Sequence, residues 1–346
     1  MITVSLCMIV KNEEQVLKRC LDSLAGLYDE LVIVDTGSTD RTKEIAAGYN
    51  AKIYDFKWVD DFSAARNYAF ERCSMEYIYS ADADEVLDEE NRQKFMMLKA
   101  NLLKEIEMVQ MLYVNRHEFS TTENFEKEYR PKLFKRLRTF TWIEPIHEMV
   151  NINPVIYDSD IEIFHMPTSL HSSRDLGVFR KAVNEEGVMS KRLMGMYARE
   201  LIISGTDDDL NLAGDFFENA WYDTVHYDGM QQDCCCVMAR IARLNGDDAG
   251  FLKWAMRNMT SEPCSEISLE MAIYYYDKGD LFEAIDHCEN AINRYSPILD
   301  ARTGGEKAYL LLADIYDALS KDENAPAYCD FEEKARECRE MANKKA

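Results

Sequence analysis

The chain has 346 residues, with 40 Lys+Arg against 63 Asp+Glu for a formal net charge of -23, and 47% of its residues are hydrophobic. That length and apolar content suit two globular domains and exclude a disordered chain. The acidity excludes a general binder of nucleic acid or of anionic membranes, each of which needs a dominant basic surface, and it leaves any phosphate-bearing substrate in need of local positive charge.

Met1 to Val10 is apolar, has no basic region before it and stops at Lys11-Asn12-Glu13-Glu14. It reads as a buried first strand rather than a membrane span or signal, no later run reaches membrane length, and a soluble cytoplasmic protein is expected. Further β-branched runs follow at Leu31 to Val34, Lys52 to Tyr54 and Tyr77 to Ala81. Stretches with helical spacing separate them, such as Val16, Cys20, Leu21 and Leu24, and later Ala65, Ala69 and Cys73. Strands that are apolar throughout and alternate with helices imply an α/β fold with a mostly parallel, Rossmann-like sheet covered on both faces. Ligands of such sheets sit beyond the C-terminal strand ends, which here carry Lys11 to Glu14, Asp35 to Asp40 and Asp82 to Glu85.

From Glu90 to Ile106 the pattern is helical, and from Met108 to about His165 it returns to short strands. Beyond Ser169 it is helical again, predicting a first domain over 1–170, with about 195 as its outer limit, and an all-α domain over 171–346. A weak repeat runs through the second part, where Ala198, Ala239, Ala272 and Ala313 are each followed seven residues later by Gly205, Gly246, Gly279 and Ser320. Ala272 to Pro297 is its clearest unit, with Tyr275, Gly279, Ala284, Cys288, Ala291 and Pro297 in a tetratricopeptide-like pattern, although Phe251 replaces the small residue in the preceding unit. Stacked helical hairpins are expected. The ten cysteines show no CxxC spacing, so they read as small core residues of a reducing compartment, with no structural zinc site indicated.

Asp82-Ala83-Asp84 places two carboxylates one residue apart at the end of a strand, where both can face one divalent cation that offsets a diphosphate; a solvated acidic loop is the plainer alternative. Asp35 ends an apolar strand before Gly37, so its carboxylate either accepts hydrogen bonds from a nucleobase imide or a ribose hydroxyl, or merely orders the turn. Arg66 lies early in a helix of small residues and reaches toward the same rim, for a phosphate or for Asp60 or Asp61.

The strings Ser5 to Glu14, Val34 to Thr42, Trp58 to Asn67 and Ala81 to Glu85, in that order, closely resemble the N-terminal half of family 2 glycosyltransferases with the GT-A fold. The resemblance covers roughly residues 3 to 170, and the subgroup it looks most like carries C-terminal tetratricopeptide-type helices, as sublancin-type S-glycosyltransferases do. It implies that Asp35 recognises the uracil of a UDP-sugar, that Arg66 lies near the base or diphosphate, that Asp82, with Ala83 beside it, contacts ribose or metal, that Asp84 binds Mn2+ or Mg2+, and that Ile9 and Lys11 flank the nucleotide. His165 stands where such enzymes often complete the metal shell, although Met166-Pro167 replaces the usual glycine, and a core histidine is the alternative. The Glu-Asp and Gln-x-x-Arg-Trp motifs and membrane helices of processive members are missing, so a polymerising synthase is not expected.

Between Lys127 and Arg138 six basic residues stand against Glu128 alone. Arg130, Lys132, Lys135 and Arg136, with His147 nearby, therefore make a candidate patch for a sugar diphosphate or a phosphate-bearing acceptor, or else a strand paired to the acidic loops. Glu148 is the leading candidate for the base that deprotonates the acceptor in an inverting transfer, with Asp84 and Glu85 behind it. The expected function is transfer of a single sugar from a UDP-sugar, UDP-glucose or UDP-N-acetylglucosamine, to a protein, peptide or envelope-glycan acceptor. A nucleotidyltransferase or a non-catalytic repeat scaffold is the alternative, and the helical part would hold a protein acceptor or form a homodimer.

Overall fold

In the computed structural model the expected apolar runs form β1 (Val4–Val10), β2 (Glu30–Asp35), β3 (Lys52–Asp55) and β4 (Tyr77–Ser80). They alternate with α1 (Leu17–Leu24), α2 (Thr42–Ala47) and α3 (Phe62–Phe70). Then come β5 (Glu85–Val86), α4 (Glu89–Asn101), β6 (Met108–Asn115), β7 (Lys127–Lys135), β8 (Trp142–Ile143), β9 (Met149–Val150) and β10 (Ile156–His165). Residues 1–115, 127–167, 172–186, 189–322 and 330–345 are described. They belong to two units, Met1–His171 and Ser172–Ala346, while the expected junction at 170/171 lies outside the described residues.

The first unit is an eight-stranded sheet of order β3-β2-β1-β4-β7-β6-β10-β5. β7 runs antiparallel to both β4 and β6, and β5 antiparallel to β10; the remaining strands share one direction. Side chains alternate between the faces of a strand, so β1 and β2 send Leu6, Met8, Val10 and Ile33 into a core with Leu17 and Leu21 of α1. The same strands send Cys7, Val32 and Val34 to the other face, into a second core with Phe70, Phe134 and Trp142. This double burial is why the strands read as unbroken apolar runs.

In the second core Phe134 of β7 meets Phe70, Phe140 and Trp142 edge-on at centroid distances of 5.4, 5.3 and 5.3 Å. This aromatic floor sets the height of the Trp142 ring, which the site above it uses.

The second unit contains α5 (Ser172–Glu186), α6 (Lys191–Ser204), α7 (Asp207–Tyr222), α8 (Thr224–Tyr227), α9 (Gln231–Leu244) and α10 (Asp248–Met259), followed by α11 (Ser265–Lys278), α12 (Leu281–Asn293), α13 (Glu306–Ser320) and α14 (Phe331–Lys345). α9 packs on α10, α11 on α12, and α13 on α14. The repeat alanines Ala198, Ala239, Ala272 and Ala313 are all wholly buried, since only a small side chain lets helix backbones approach at these crossings. Gly279 closes α11 with a φ of 81°, a left-handed conformation that a residue with a Cβ adopts at a cost. Among the described residues no helix is long and apolar enough to cross a membrane.

Truncating Phe134 to Ala removes the centre of the aromatic floor. Denaturant unfolding is expected to show a loss of about 3–5 kcal/mol, as for other large core truncations.

Candidate active site

At the carboxyl ends of β1 and β2, two loops are laced to each other by short polar side chains. The Asn12 amide donates to Ser38 Oγ at 2.9 Å, and the Thr39 amide donates to Asn12 Oδ1 at 2.8 Å. The Glu13 and Glu14 amides donate to Thr42 Oγ1 and Asp40 Oδ2. Asn12 is itself left-handed, with a φ of 58°. Inside this frame the buried Asp35 carboxylate uses Oδ1 to accept the Gly37 and Ser38 amides at 3.0 and 2.9 Å, and Gly37 can make this turn because its φ is 110°. Asp35 Oδ2 is buried without a hydrogen-bond partner. Ile9 pairs in register with Val34 one residue before the rim, and Lys11 is exposed just beyond it.

α3 carries Arg66 into the centre of the rim. Its N-terminus is capped by the Asp61 side chain, which accepts the Ala64 amide, and the Phe62 amide donates to the Pro145 carbonyl. Asn67 clamps the Trp142 backbone from both sides, donating to its carbonyl and accepting its amide at 2.9 and 2.8 Å. The segment from Trp142 to Glu148 is therefore fixed against α3. Arg66, lying 5.2 Å over the Trp142 ring, pairs with Glu148 and donates to Ser80 Oγ at 2.9 Å and to Asp82 Oδ1 at 3.1 Å. Burial alone would lower the Arg66 pKa, but Glu148 and Asp82 outweigh it and hold the guanidinium charged well above the usual arginine range. Burial would likewise raise Asp82, yet Arg66 and Lys132 pull it well below the usual carboxylate range.

Lys132 of β7 lies 3.7 Å from Asp82 Oδ2 and pairs directly with Glu85, whose side chain is 2% exposed. Burial, reinforced by the Asp82 and Asp84 charges, pushes Glu85 up to about 7 against the pull of Lys132.

Asp84 belongs to the turn between β4 and β5. The antiparallel pairing of β5 with β10 sets His165 opposite Glu85, and the Met166 amide donates to the Asp84 carbonyl at 2.9 Å. The result is His165 Nε2 at 3.2 Å from Asp84 Oδ2. The His165 ring lies 5.1 Å from that of Tyr113 on β6, tilted by 37°, and the Arg130 guanidinium lies over the tyrosine ring at 3.8 Å.

The structure thus brings Arg66, Asp82, Asp84, Glu85, Lys132, Glu148 and His165 together, with Asp35 two strands away. The basic patch expected over Arg130 to Arg136 does not form one surface, because β7 runs through the sheet. Its early residues Arg130 and Lys132 reach the rim, and Lys132 is sealed against Glu85 rather than displayed. Lys135 and Arg136 lie at the opposite end of the strand, donating to the Lys104 and Met75 carbonyls. His147 and Glu148 sit in a turn rather than on a strand, with His147 left-handed at φ 50° and half-buried. Ser80, Tyr113 and Trp142 also take part, although none stands in a pattern that marks it apart from core or loop, and Asn12 laces the strand-end segment Lys11 to Glu14 that the sequence does mark.

Comparison with known proteins gives the class that this domain is similar to: residues 5–162 match the family Glycosyl transferase family 2. A TPR repeat-containing protein of Synechococcus elongatus is 51% identical over 87 residues, which is 25% of this chain and 22% of that protein. The SPbeta prophage-derived glycosyltransferase SunS of Bacillus subtilis is 37% identical over 94 residues, 27% of this chain and 22% of SunS, so the chain matches less than a quarter of the length of either relative. Among solved structures, glucosyl-3-phosphoglycerate synthase of Mycobacterium tuberculosis in complex with Mn2+, UDP and glucosyl-3-phosphoglycerate aligns at 16% identity and a TM-score of 0.39, over 55% of this chain and 81% of that one.

Glu85 supplies a pH signature. Its folded pKa of about 7 stands above an unfolded value near 4.5, so the folded state binds the extra proton and stability falls as pH rises between those values. Wild type should lose stability relative to Glu85→Gln by roughly 2–3 kcal/mol between pH 5 and pH 8, read from paired denaturant titrations.

Proposed function

We propose that the chain transfers a single sugar, with inversion, from a UDP-sugar, UDP-glucose or UDP-N-acetylglucosamine, to an acceptor hydroxyl or thiol on a protein, peptide or envelope glycan. The observation that carries this reading is the buried Asp35 oxygen without a partner. A buried carboxylate oxygen is costly to leave unpaired, and a uracil imide N–H is a donor of the right kind to satisfy it. A nucleotide seated there crosses the end of β1, past Ile9 and Lys11, and brings its diphosphate toward Arg66 and Asp84.

Asp84 and His165 would hold Mn2+ or Mg2+, for one hard carboxylate oxygen and one imidazole nitrogen already converge at the rim, and a bound ion supplies positive charge to the departing diphosphate. Asp82 is engaged by Arg66 and Lys132, which suits it to a ribose hydroxyl better than to the ion. In a chain of net charge -23, Arg66 with the ion offsets the phosphate charge locally, while Lys132 stays buried behind Asp82 and Glu85.

Arg66 also connects donor binding to acceptor activation. As its guanidinium turns toward the diphosphate, the Glu148 carboxylate loses a partner and becomes free to accept the acceptor proton. The nucleophile then attacks the anomeric carbon on the face opposite the diphosphate. Glu85, buried against Lys132, shapes the charge of this floor from below. The helical unit, read as tetratricopeptide-type, presents stacked helix faces suited to a peptide acceptor.

UDP release from a panel of UDP-sugars with Mn2+ tests the reading. Asp84→Ala is expected to lower kcat/KM by about 10²–10³-fold, the equivalent of several kcal/mol of charge stabilisation, and EDTA should do the same. Turnover unaltered by either would overturn the metal assignment. Asp35→Ala should weaken UDP binding about 10–100-fold by calorimetry, in line with loss of a charged hydrogen bond. Glu148→Gln should lower kcat about 10²–10⁴-fold with UDP affinity within a few-fold of wild type.

A further inference from the structure

Cys236 and Cys264 are 28 residues apart and no spacing rule joins them, but the helical unit brings them together. Cys236 lies midway along α9, Cys264 directly precedes α11, and Glu266 is in the first turn of α11. All three are about 1% exposed. Their donor atoms, two sulfurs and a carboxylate oxygen, all lie within 4.8 Å of one another, and the two sulfurs are 3.5 Å apart. That separation is far beyond a disulfide bond of about 2.05 Å. It is close to the roughly 3.7 Å edge between two thiolates that are each about 2.3 Å from a tetrahedral zinc ion.

Glu266 supplies an independent observation. Its Oε1 accepts three amides, from Ile298, Leu299 and Asp300, at 2.9, 2.7 and 2.9 Å, which fixes the carboxylate rigidly. Its Oε2 is buried without a hydrogen-bond partner. A carboxylate oxygen in that condition calls for a cation or a donor, and anchoring of one oxygen by backbone amides is the outer-shell support that orients metal ligands.

We propose that Cys236, Cys264 and Glu266 bind one zinc-class cation. The two thiols release their protons to solvent as the ion enters, and the fourth tetrahedral position falls to a water or to Asp233, one turn before Cys236 on α9. The ion ties α9, the start of α11 and the 298–300 segment into one structural unit. The sequence expectation of no zinc site rested on spacing alone, which does not register residues brought together by helix stacking.

The test uses the full chain, reduced and stripped of metal, titrated with Co2+. One equivalent should produce sulfur-to-cobalt charge-transfer absorption, zinc should displace it, and Cys236→Ser and Cys264→Ser should each abolish it. An ion held by Asp84 and His165 has no sulfur ligand and gives no such band, so the two sites are read separately. Zinc at about 100 times its Kd should raise the Tm of wild type by roughly 5 °C or more, and the shift should vanish in Cys236→Ala, whose folding is checked by circular dichroism. Glu266→Gln should weaken Co2+ binding about 10–100-fold, as loss of a ligand-shell partner does. No charge-transfer band in wild type, a band that survives both serine variants, or a zinc-dependent Tm shift retained in Cys236→Ala would overturn the proposal.

Discussion

The candidate site is organised around the charge of Arg66. A guanidinium with a 15% exposed side chain is tolerable only when its donors are taken up by partners in fixed geometry. Here two carboxylates, a hydroxyl and an indole face surround it, each delivered by a different piece of chain. Ser80 comes from the end of β4, Asp82 from the turn after it, and Glu148 from the segment that Asn67 clamps, while the Trp142 ring rests on the aromatic floor. Breaking such a network on one side leaves a buried charge unpaired, so the elements that bear the partners are held in mutual register by the charge itself.

That arrangement also distributes the two aspartates of the Asp82-Ala83-Asp84 turn between different tasks. Asp82 turns to Arg66 and Lys132, and Asp84 turns to His165, because β5 is paired antiparallel to β10 at the far edge of the sheet. A triplet that suggests two equivalent ligands is in three dimensions one ion-paired carboxylate and one beside an imidazole. Beside them Tyr113 contacts both the Arg130 guanidinium and the His165 ring. Asp35 stands apart, with one oxygen bonded to its own turn and 3.7 Å from Lys43 Nζ, and the other buried without a hydrogen-bond partner.

The helical unit follows a different logic. Its small residues at helix crossings and its left-handed Gly279 are local requirements of close-packed hairpins, and the repeat shows them in order. The contact between Cys236 and Cys264 is instead a product of stacking, since α9 and α11 meet only because the hairpins pile on one another. Rigid acceptance of three amides by Glu266 depends on the same stacking. Short-range spacing is informative about metal ligands only when they share one turn or hairpin, and these do not.

Sequence by itself determined what depends on neighbours along the chain: the apolar strands with helices between them, the turn at Gly37 that orients Asp35, the acidic turn after β4, and the small-residue rhythm of the helices. Each of these is decided by backbone preference and by burial averaged over a few residues. Tertiary structure alone decided what depends on strand order and strand direction. Insertion of β7 between β4 and β6 with reversed direction carried Lys132 into the site and Lys135 and Arg136 away from it, and an edge pairing of two residues on β5 brought His165 to Asp84. Those two pairings join residues 47 and 81 positions apart, and the free energy that selects them lies in shared burial and opposite charge, neither of which leaves a periodic trace in the chain.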